Sequence, residues 1–136
     1  MSEKRIDLPY QERQVGEHLY RCSRLLLSNW IELEALLMRV LGVQVLDLDE
    51  SNLGAYAPKA IAASTAQDHE KIFQLMGACL VVQNDGGGWS MLSRETQERW
   101  WAVYIGEMSA VIGLFFEVQF KDFFTGLETL LPEEPT

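Results

Sequence analysis

The most regular hydrophobic pattern of the chain lies in its last third, residues 93–131. Apolar and aromatic side chains recur there at alternating spacings of three and four: Trp101, Tyr104, Met108, Val111, Phe115 and Val118. This spacing predicts a helix with one buried seam. Ser93 is a suitable N-cap, and Glu95 follows in the first turn, where a carboxylate is favourable. We therefore expect a long C-terminal helix.

A helix over this whole segment would be roughly 57 Å long at about 1.5 Å per residue. A compact domain of 136 residues has a diameter of only about 36 Å. The helix must therefore break or protrude. We expect the break at residues 119–122, where the seam loses its register, and Gly126 and Pro132 mark the exit from the segment.

Two earlier helices are predicted in the first 42 residues. The first covers residues 10–27 and presents Leu19, Cys22 and Leu26 on one line, although Gly16 weakens it by roughly 1 kcal/mol. The second starts at Ser28 as N-cap and ends at Gly42. Its buried face consists of Trp30, Leu33, Leu36 or Leu37, and Val40.

Residues 43–56 have the least regular pattern. Val43 and Val45 alternate with Gln44, which indicates a short strand. The acidic group of Asp47, Asp49 and Glu50 is not a calcium loop, because the required glycine and closing glutamate do not stand at the right offsets. A solvated acidic loop is the better interpretation.

A further helix is predicted to start at Pro58 or at the Thr65–Asp68 capping pair. It continues through one apolar face: Ile72, Phe73, Met76, Cys79, Leu80 and Gln83. The run of Asn, Asp and three glycines at 84–88 then breaks it. We expect a helix–loop–helix here. A β-hairpin of residues 80–83 against 89–92 is the competing interpretation, because the same turn residues suit a hairpin.

Together these patterns predict a mainly α fold, a small single domain of residues 1–136 with about four helices. Hydrophobic residues make up 48% of the chain and charged residues 23%, which is ordinary for a globular domain. Residues 1–9 and 132–136 are expected to fray. Residues 100–120 are long and apolar, but Glu107 and Glu117 interrupt them, so we expect a core helix and no membrane span.

The net charge limits the classes of partner that the chain is expected to bind. The net charge is −9, and residues 107–136 hold six acidic side chains against the single Lys121. Such a chain is a poor ligand for nucleic-acid phosphates. The first residues contain no apolar signal segment, and Cys22 and Cys79 are expected to be buried, reduced thiols. A cytoplasmic protein is therefore expected.

Candidate chemistry is sparse. His18 and His69 have no partners at metal-ligand spacing, and both are expected on exposed polar helix faces. The glycines at 86–88 lack the Lys-Ser/Thr of a phosphate loop and are expected to form a turn. No nucleophile elbow or carboxylate pair is present. We therefore expect no catalytic residues, no metal and no cofactor.

Aromatic residues are the remaining signal, because too many fall within residues 100–124 for one helix face. If the last helix is packed on two sides, all of them are core. If it is packed on one side, the outer aromatics form an exposed apolar strip that would bind a partner or a second copy of the chain. The residues of this candidate partner-binding strip are Trp100, Phe116, Phe120, Phe123 and Phe124.

The segment from Glu117 to Phe124, followed by Leu127, Leu130, Leu131 and Pro132, resembles a C-terminal pattern of tail assembly chaperones of tailed bacteriophages. In that pattern Glu-Val-Asn is followed closely by Asp-Phe-Phe and leucines. Here Gln119 replaces the usual Asn. Residues 80–93, with their Asp-Gly turn before a helix, also resemble a unit of such chaperones, so that the resemblance covers residues 80–132.

This resemblance implies a small, helical, acidic protein without enzymatic activity, located in the host cytoplasm. Its partner would be a tape-measure or tail tube protein, whose apolar helical segments it would shield during assembly. A homo-oligomer would follow if the exposed aromatic strip bound a second copy of the chain. The mode of binding would be helix-in-groove. The alternative is a small acidic inhibitor or immunity protein that blocks a basic site on its target, using Asp47, Asp49, Glu50 or the C-terminal acids.

Overall fold

The computed structural model describes residues 8–41 and 64–121. Within them the chain forms four strands and four helices, so the fold is α+β and the expected mainly α fold is wrong. The elements in chain order are β1 (Tyr10–Val15), β2 (His18–Ser23), α1 (Leu27–Leu41), α2 (Ala66–Gly77), β3 (Leu80–Gln83), β4 (Trp89–Met91), α3 (Arg94–Val103) and α4 (Ile105–Phe120).

The strands form one antiparallel sheet in the order β1-β2-β3-β4. A two-residue turn joins β1 to β2, with Val15 opposite His18. Gly16, the first residue of this turn, has φ +59°, the left-handed conformation that tight hairpin turns require and glycine adopts without strain. Cys22 pairs with Leu80 to bring the two hairpins together.

The predicted helix over residues 10–27 is therefore wrong. Leu19, Cys22 and Leu26 fit a helical spacing, but the actual alternation has period two, with Tyr20 and Cys22 fully buried on one side of β2 and Arg21 between them on the other. Gly16 does not weaken a helix; it forms the turn of a hairpin.

The predicted helix–loop–helix at residues 80–92 is also wrong, and the competing hairpin is correct. β3 pairs with β4 through Val81–Met91 and Gln83–Trp89. The glycines at 86–88 lie in the turn between these strands, as expected. The turn is closed by the backbone N–H of Asn84, which donates to the carbonyl of Gly88 at 2.8 Å.

The long C-terminal helix breaks at Tyr104, earlier than predicted. Tyr104 has φ −114° and ψ 43°, outside the helical region, and separates α3 from α4. The interval 119–122, where the break was predicted, instead contains the end of α4 at Phe120. The seam survives the break, since Trp101 on α3 and Val111, Phe115 and Val118 on α4 are buried.

Two of the predicted helix caps are confirmed. The Thr65 hydroxyl accepts from the Asp68 N–H at the start of α2, and the Ser93 hydroxyl accepts from the Thr96 N–H at the start of α3. Ser28 is not an N-cap, because α1 already begins at Leu27. The predictions for residues 1–7, 42–63 and 122–136 lie outside the described residues; they include the strand and acidic loop at 43–56 and the Pro58 helix start.

α4 is the central element of the hydrophobic core. It packs against β1 and β2, and every residue from Val111 to Phe120 except Glu117 is buried. Glu117 forms an ion pair with Arg13 of β1, so even the charged position of this stretch ties the helix to the sheet. Among the described residues, no helix combines the length and apolarity needed to cross a bilayer.

Candidate functional site

The solvent side of α1 carries a row of exposed apolar side chains. Leu27 is 72% exposed, Ile31 52% and Met38 47%, and Ala35 between them is exposed as well. At 3.6 residues per turn these four positions fall within an arc of about 80°. We call Leu27, Ile31, Ala35 and Met38 the α1 row. An aligned apolar row on a helix surface is typical of a site that binds another helix.

The α1 row does not hold α1 in place, because a different face of the helix does so. Leu33, Leu36 and Leu37 are buried in the core. The indole N–H of Trp30 donates to the carbonyl of Gln119 at 2.6 Å, and the Trp30 ring lies 5.4 Å from that of Phe120. Among the described residues, the side chains that hold α1 on the core are therefore different from those of the α1 row.

Ion pairs fix the orientation of α1 on α2. Arg39 bonds to Asp68, and Lys71 lies 3.1 Å from Glu32. The hydrogen bond from Arg39 is the main reason that the pKa of Asp68 is lowered. Since this pair bridges the last turn of α1 and the first turn of α2, it helps to hold the α1 row on the outside.

A polar network links the first hairpin to both halves of the broken C-terminal helix. The Tyr20 hydroxyl donates to Glu107 Oε1 at 2.9 Å and accepts from the Trp100 indole N–H at 3.0 Å. His18 Nδ1 lies 2.9 Å from the same carboxylate oxygen. The network spans β2, α3 and α4, and so fixes the angle of the chain at Tyr104.

Burial dominates the electrostatics of this network. Tyr20 is fully buried, and burial raises its pKa well above the ordinary value, with the neighbouring Glu107 carboxylate adding to the effect. The phenol therefore stays protonated and can act as a donor across the physiological range.

Beside this network a cleft of 240 Å³ opens between the β3–β4 turn and the α3–α4 junction. The rings of Trp100 and Tyr104 form one wall, with their centroids 4.7 Å apart. The His18 ring packs edge-on against Tyr104 at 4.4 Å. The other lining residues are Val82, Gln83, Asn84, Asp85 and Ser90.

The two cysteines lie side by side in the core. Both are free and buried, as expected, and their sulfurs are 3.7 Å apart. The neighbouring Cys22 thiol, together with burial, raises the pKa of Cys79. The buried side chain of Gln119 lies over the pair; it accepts from the Leu25 N–H at 2.8 Å and donates to the Ser23 carbonyl at 2.8 Å. The amide thus ties the end of α4 to the link between β2 and α1.

The residues of the predicted aromatic strip do not lie together on one surface among the described residues. Trp100 is half-buried and lines the cleft. Phe116 and Phe120 are buried in the core with their rings stacked 6.2 Å apart. Phe123 and Phe124 lie outside the described residues. The partner-binding role of these five residues stays a prediction, and two of them are covered in this state of the chain.

Within residues 8–41 and 64–121, no group of three or more His, Cys, Asp or Glu side chains is arranged to hold a metal ion. His18 is not on an exposed helix face, as the sequence suggested, but on a strand and bonded to Glu107. His69 does lie on a helix, α2, and is half-buried.

The sequence pattern missed the α1 row and the Tyr20–Glu107 network for different reasons. Leu27, Ile31 and Met38 are apolar residues that lie outside the predicted buried face of the helix. Apolar residues in excess of those that one buried face needs are the signal that could have identified the row. Tyr20 and Glu107 are far apart in the sequence, and the wrong helix over residues 10–27 hid the direction of the Tyr20 side chain.

Comparison with known proteins gives a family. A family model described as "Phage tail assembly chaperone protein, TAC" matches residues 16–130. The matched range includes β2, all four helices and both strands of the second hairpin. The same comparisons returned no match among curated proteins or among solved structures. Because the family model covers most of the sequence and agrees with the resemblance seen at residues 80–132, the chain belongs to the phage tail assembly chaperone family.

Proposed function

We propose that this protein is a non-enzymatic chaperone that holds an apolar helical segment of a phage tail protein in solution until the tail assembles. Family membership implies a protein partner in tail assembly. The α1 row carries the finer part of the proposal, because it is an exposed apolar helix face, different from the side chains that hold α1 on the core.

In the proposed mechanism, a helix of the client packs along α1 with its own apolar side chains between Leu27, Ile31 and Met38. Full burial of a large apolar side chain contributes about 1.5–3 kcal/mol. Leu27, Ile31 and Met38 are already partly buried, and burying the 72%, 52% and 47% that is still exposed would give roughly 2.5–5 kcal/mol, whereas association costs about 4–15 kcal/mol. One row therefore gives weak, reversible binding, which suits a client that must later be released to the growing tail.

Several finer predictions belong to the same proposal. The client is the tape-measure protein or the tail tube protein, and the complex forms in the host cytoplasm. Trp100, Phe123 and Phe124 add contacts beyond the α1 row, whereas Phe116 and Phe120 could contribute only if α4 were uncovered. Oligomers of the chaperone would align several α1 rows along a long client. The family match favours this function over an acidic inhibitor.

A co-expression experiment tests the proposal. The tape-measure protein of the same phage is expressed with the wild-type chain or with Met38→Ser, Ile31→Ser or Met91→Ser, and the soluble fraction of the client is measured. Met91 is a matched control, because it is 60% exposed on β4, away from α1. We expect the wild type and Met91→Ser to keep the client soluble, and the two α1 variants to lose it to the pellet.

The outcomes separate the parts of the proposal. A client that precipitates equally with and without the wild-type chain argues against the chaperone function for that client. A client that stays soluble with all three variants argues against the α1 row and leaves Trp100, Phe123 and Phe124 as the contacts to change next.

A further inference from the structure

The cleft between the β3–β4 turn and the α3–α4 junction has the size and the chemistry to hold one side chain. Its volume is 240 Å³, below the range of about 300–1,000 Å³ that is usual for sites of whole small-molecule ligands. It is open to solvent on the side of the turn, where Asn84 and Asp85 are exposed. A single long side chain of a partner can therefore enter it from outside.

The wall of the cleft offers aromatic rings that are held by hydrogen bonds outside the cleft. The Trp100 indole N–H is bonded to Tyr20, and His18 Nδ1 to Glu107. The centroid of the Trp100 ring lies 4.9 Å from that of His18 and 4.7 Å from that of Tyr104. These contacts hold the rings in place before any ligand arrives, and preorganised rings lower the entropic cost of binding.

Negative charge is placed at the rim of the cleft by Asp85, which lines it and is exposed. Aromatic faces with a carboxylate at the opening attract a cation, because the ring faces carry the negative end of the quadrupole. A guanidinium fits better than an ammonium, since it is planar, stacks on rings and can bond a carboxylate through two N–H groups.

We propose that this cleft binds an arginine side chain of the tail protein that the chaperone holds. The inference rests on the proposed function for the identity of the partner, but the cation site itself does not. The cleft lies beside the N-terminal end of α4, where Tyr104 lines it, whereas α1 contacts the C-terminal end through Phe120. The 16 residues of α4 put about 24 Å between these ends, so arginine and α1 row would fix the client at two separate points.

The binding of the cation is tested on the isolated chain. N-acetylarginine methylamide is titrated into ¹⁵N-labelled protein, with the uncharged N-acetylcitrulline methylamide as the matched probe. The arginine probe is expected to shift the Trp100 indole N–H and the backbone signals of Asn84 and Asp85 saturably at millimolar concentrations. Asp85→Asn should weaken this binding about two- to fivefold, as expected for an exposed charge pair, and Glu95→Gln, an exposed control on α3, should leave it unchanged.

The assignment of the arginine to the client is tested with the purified complex. Asp85→Asn is expected to weaken client binding by the same about two- to fivefold factor, and Glu95→Gln should not. Absence of arginine-induced shifts, or equal shifts with citrulline, would overturn the cation site whatever the client does. If the isolated chain binds the arginine probe but Asp85→Asn binds the client as tightly as the wild type does, the arginine does not come from the client, and that assignment is overturned. If the wild type does not bind the tail protein at all, both the proposed function and the assignment of the arginine to the client are wrong. The titration with the arginine probe then still tests the cation site by itself.

Discussion

The Tyr20 hydroxyl donates a hydrogen bond to the Glu107 carboxylate at 2.9 Å, across 87 positions of the sequence. Tyr20 is fully buried on β2, and Glu107 lies in the first turn of α4. The contact joins the first hairpin to the central helix beside the break at Tyr104. It also places Glu107 under the turn at Gly16, where an added Cβ would come within 3.4 Å of the carboxylate. The position of α4 on the sheet is thus fixed by polar contacts as well as by apolar packing.

Glu107→Gln should destabilise the fold. The amide keeps one acceptor oxygen but loses the charge, and it turns an N–H₂ group toward His18 or Tyr20. Hydrogen bonds to charged groups contribute about 1.5–3 kcal/mol, so we expect the free energy of unfolding to fall by about 1–2 kcal/mol. Urea denaturation measures it, and Glu95→Gln on the exposed side of α3 is the control. Equal stability of both variants would show that the network does not support the fold.

Tyr20→Phe should change the stability at alkaline pH. The pKa of Tyr20 is raised by burial above its ordinary value of 10.0, so above pH 10 the unfolded chain loses this proton and the folded chain keeps it. The free energy of unfolding must then fall as the pH rises through this range, and be unaffected by Tyr20 titration below it. We expect Tyr20→Phe to be less stable than the wild type near neutral pH but to show a shallower loss between pH 9.5 and 11.

The control for this pH experiment is Tyr10→Phe, because Tyr10 is exposed at the start of β1. The Cys79 thiol, whose pKa is raised by the neighbouring Cys22 thiol and by burial, contributes an alkaline loss in all three proteins. The difference between the curves therefore isolates Tyr20. Parallel curves for the wild type and Tyr20→Phe would show that this phenol titrates normally.

Gly77→Ala should be destabilising although alanine favours helices. A Cβ at this last position of α2 would lie 2.7 Å from the backbone nitrogen of Arg94, so the start of α3 would have to move. Forcing extra atoms into a packed site costs about 1–3 kcal/mol. Thermal unfolding should show a lower Tm. The control is Gly106→Ala in the first turn of α4, where an added Cβ meets nothing within 4 Å, and an equal or higher Tm for Gly77→Ala would contradict the close contact.

Gln119→Leu should be among the more damaging single changes in the core. It removes the partner of the Leu25 N–H and of the Ser23 carbonyl, and an unpaired buried polar group costs about 1–3 kcal/mol. We expect a loss of at least about 2 kcal/mol in the free energy of unfolding. Gln119→Asn, the residue usual in the resembled pattern, is the informative companion. Its shorter side chain should recover part of the loss, and a stable Gln119→Leu protein would show that the two backbone groups find other partners.

The sequence predicted those parts of the fold that depend on local signals. Thr65 and Ser93 cap helices because a hydroxyl can reach an N–H three residues on, wherever the rest of the chain lies. Val111, Phe115 and Val118 are buried as the seam predicted, although α4 is covered on more than one side and its other residues from 111 to 120, except Glu117, are buried as well. The fold class was wrong because strand pairing is not local. Leu19, Cys22 and Leu26 match a helical spacing, and only the pairing of β2 with its neighbours, in which Cys22 lies opposite Gln11 and Leu80, shows that Cys22 belongs to a sheet.

The candidate site was predictable only in part. Trp100 was selected because residues 100–124 hold more aromatic side chains than one helix face can bury, and the structure places it in the wall of the cleft. Phe116 and Phe120 were selected by the same reasoning, yet they are buried because α4 is packed on more than one side. The α1 row has the same apolar composition as the buried face of α1, and only the packing of Leu33, Leu36 and Leu37 into the core shows which of the two faces is left outside.

The most direct measurement of the central claim is the affinity of the purified chain for its tail protein, with the wild type, Met38→Ser and Met91→Ser compared at low and high salt. Met38 is 47% exposed, so a partner can bury only about half of its side chain, which contributes about 0.7–1.5 kcal/mol. Loss of that contact corresponds to roughly a 3- to 10-fold rise in Kd. We predict this rise for Met38→Ser, a change below about twofold for Met91→Ser, and at most a small effect of salt. Tail-protein binding that Met38→Ser leaves intact, or that high salt abolishes, would contradict binding through the apolar row of α1.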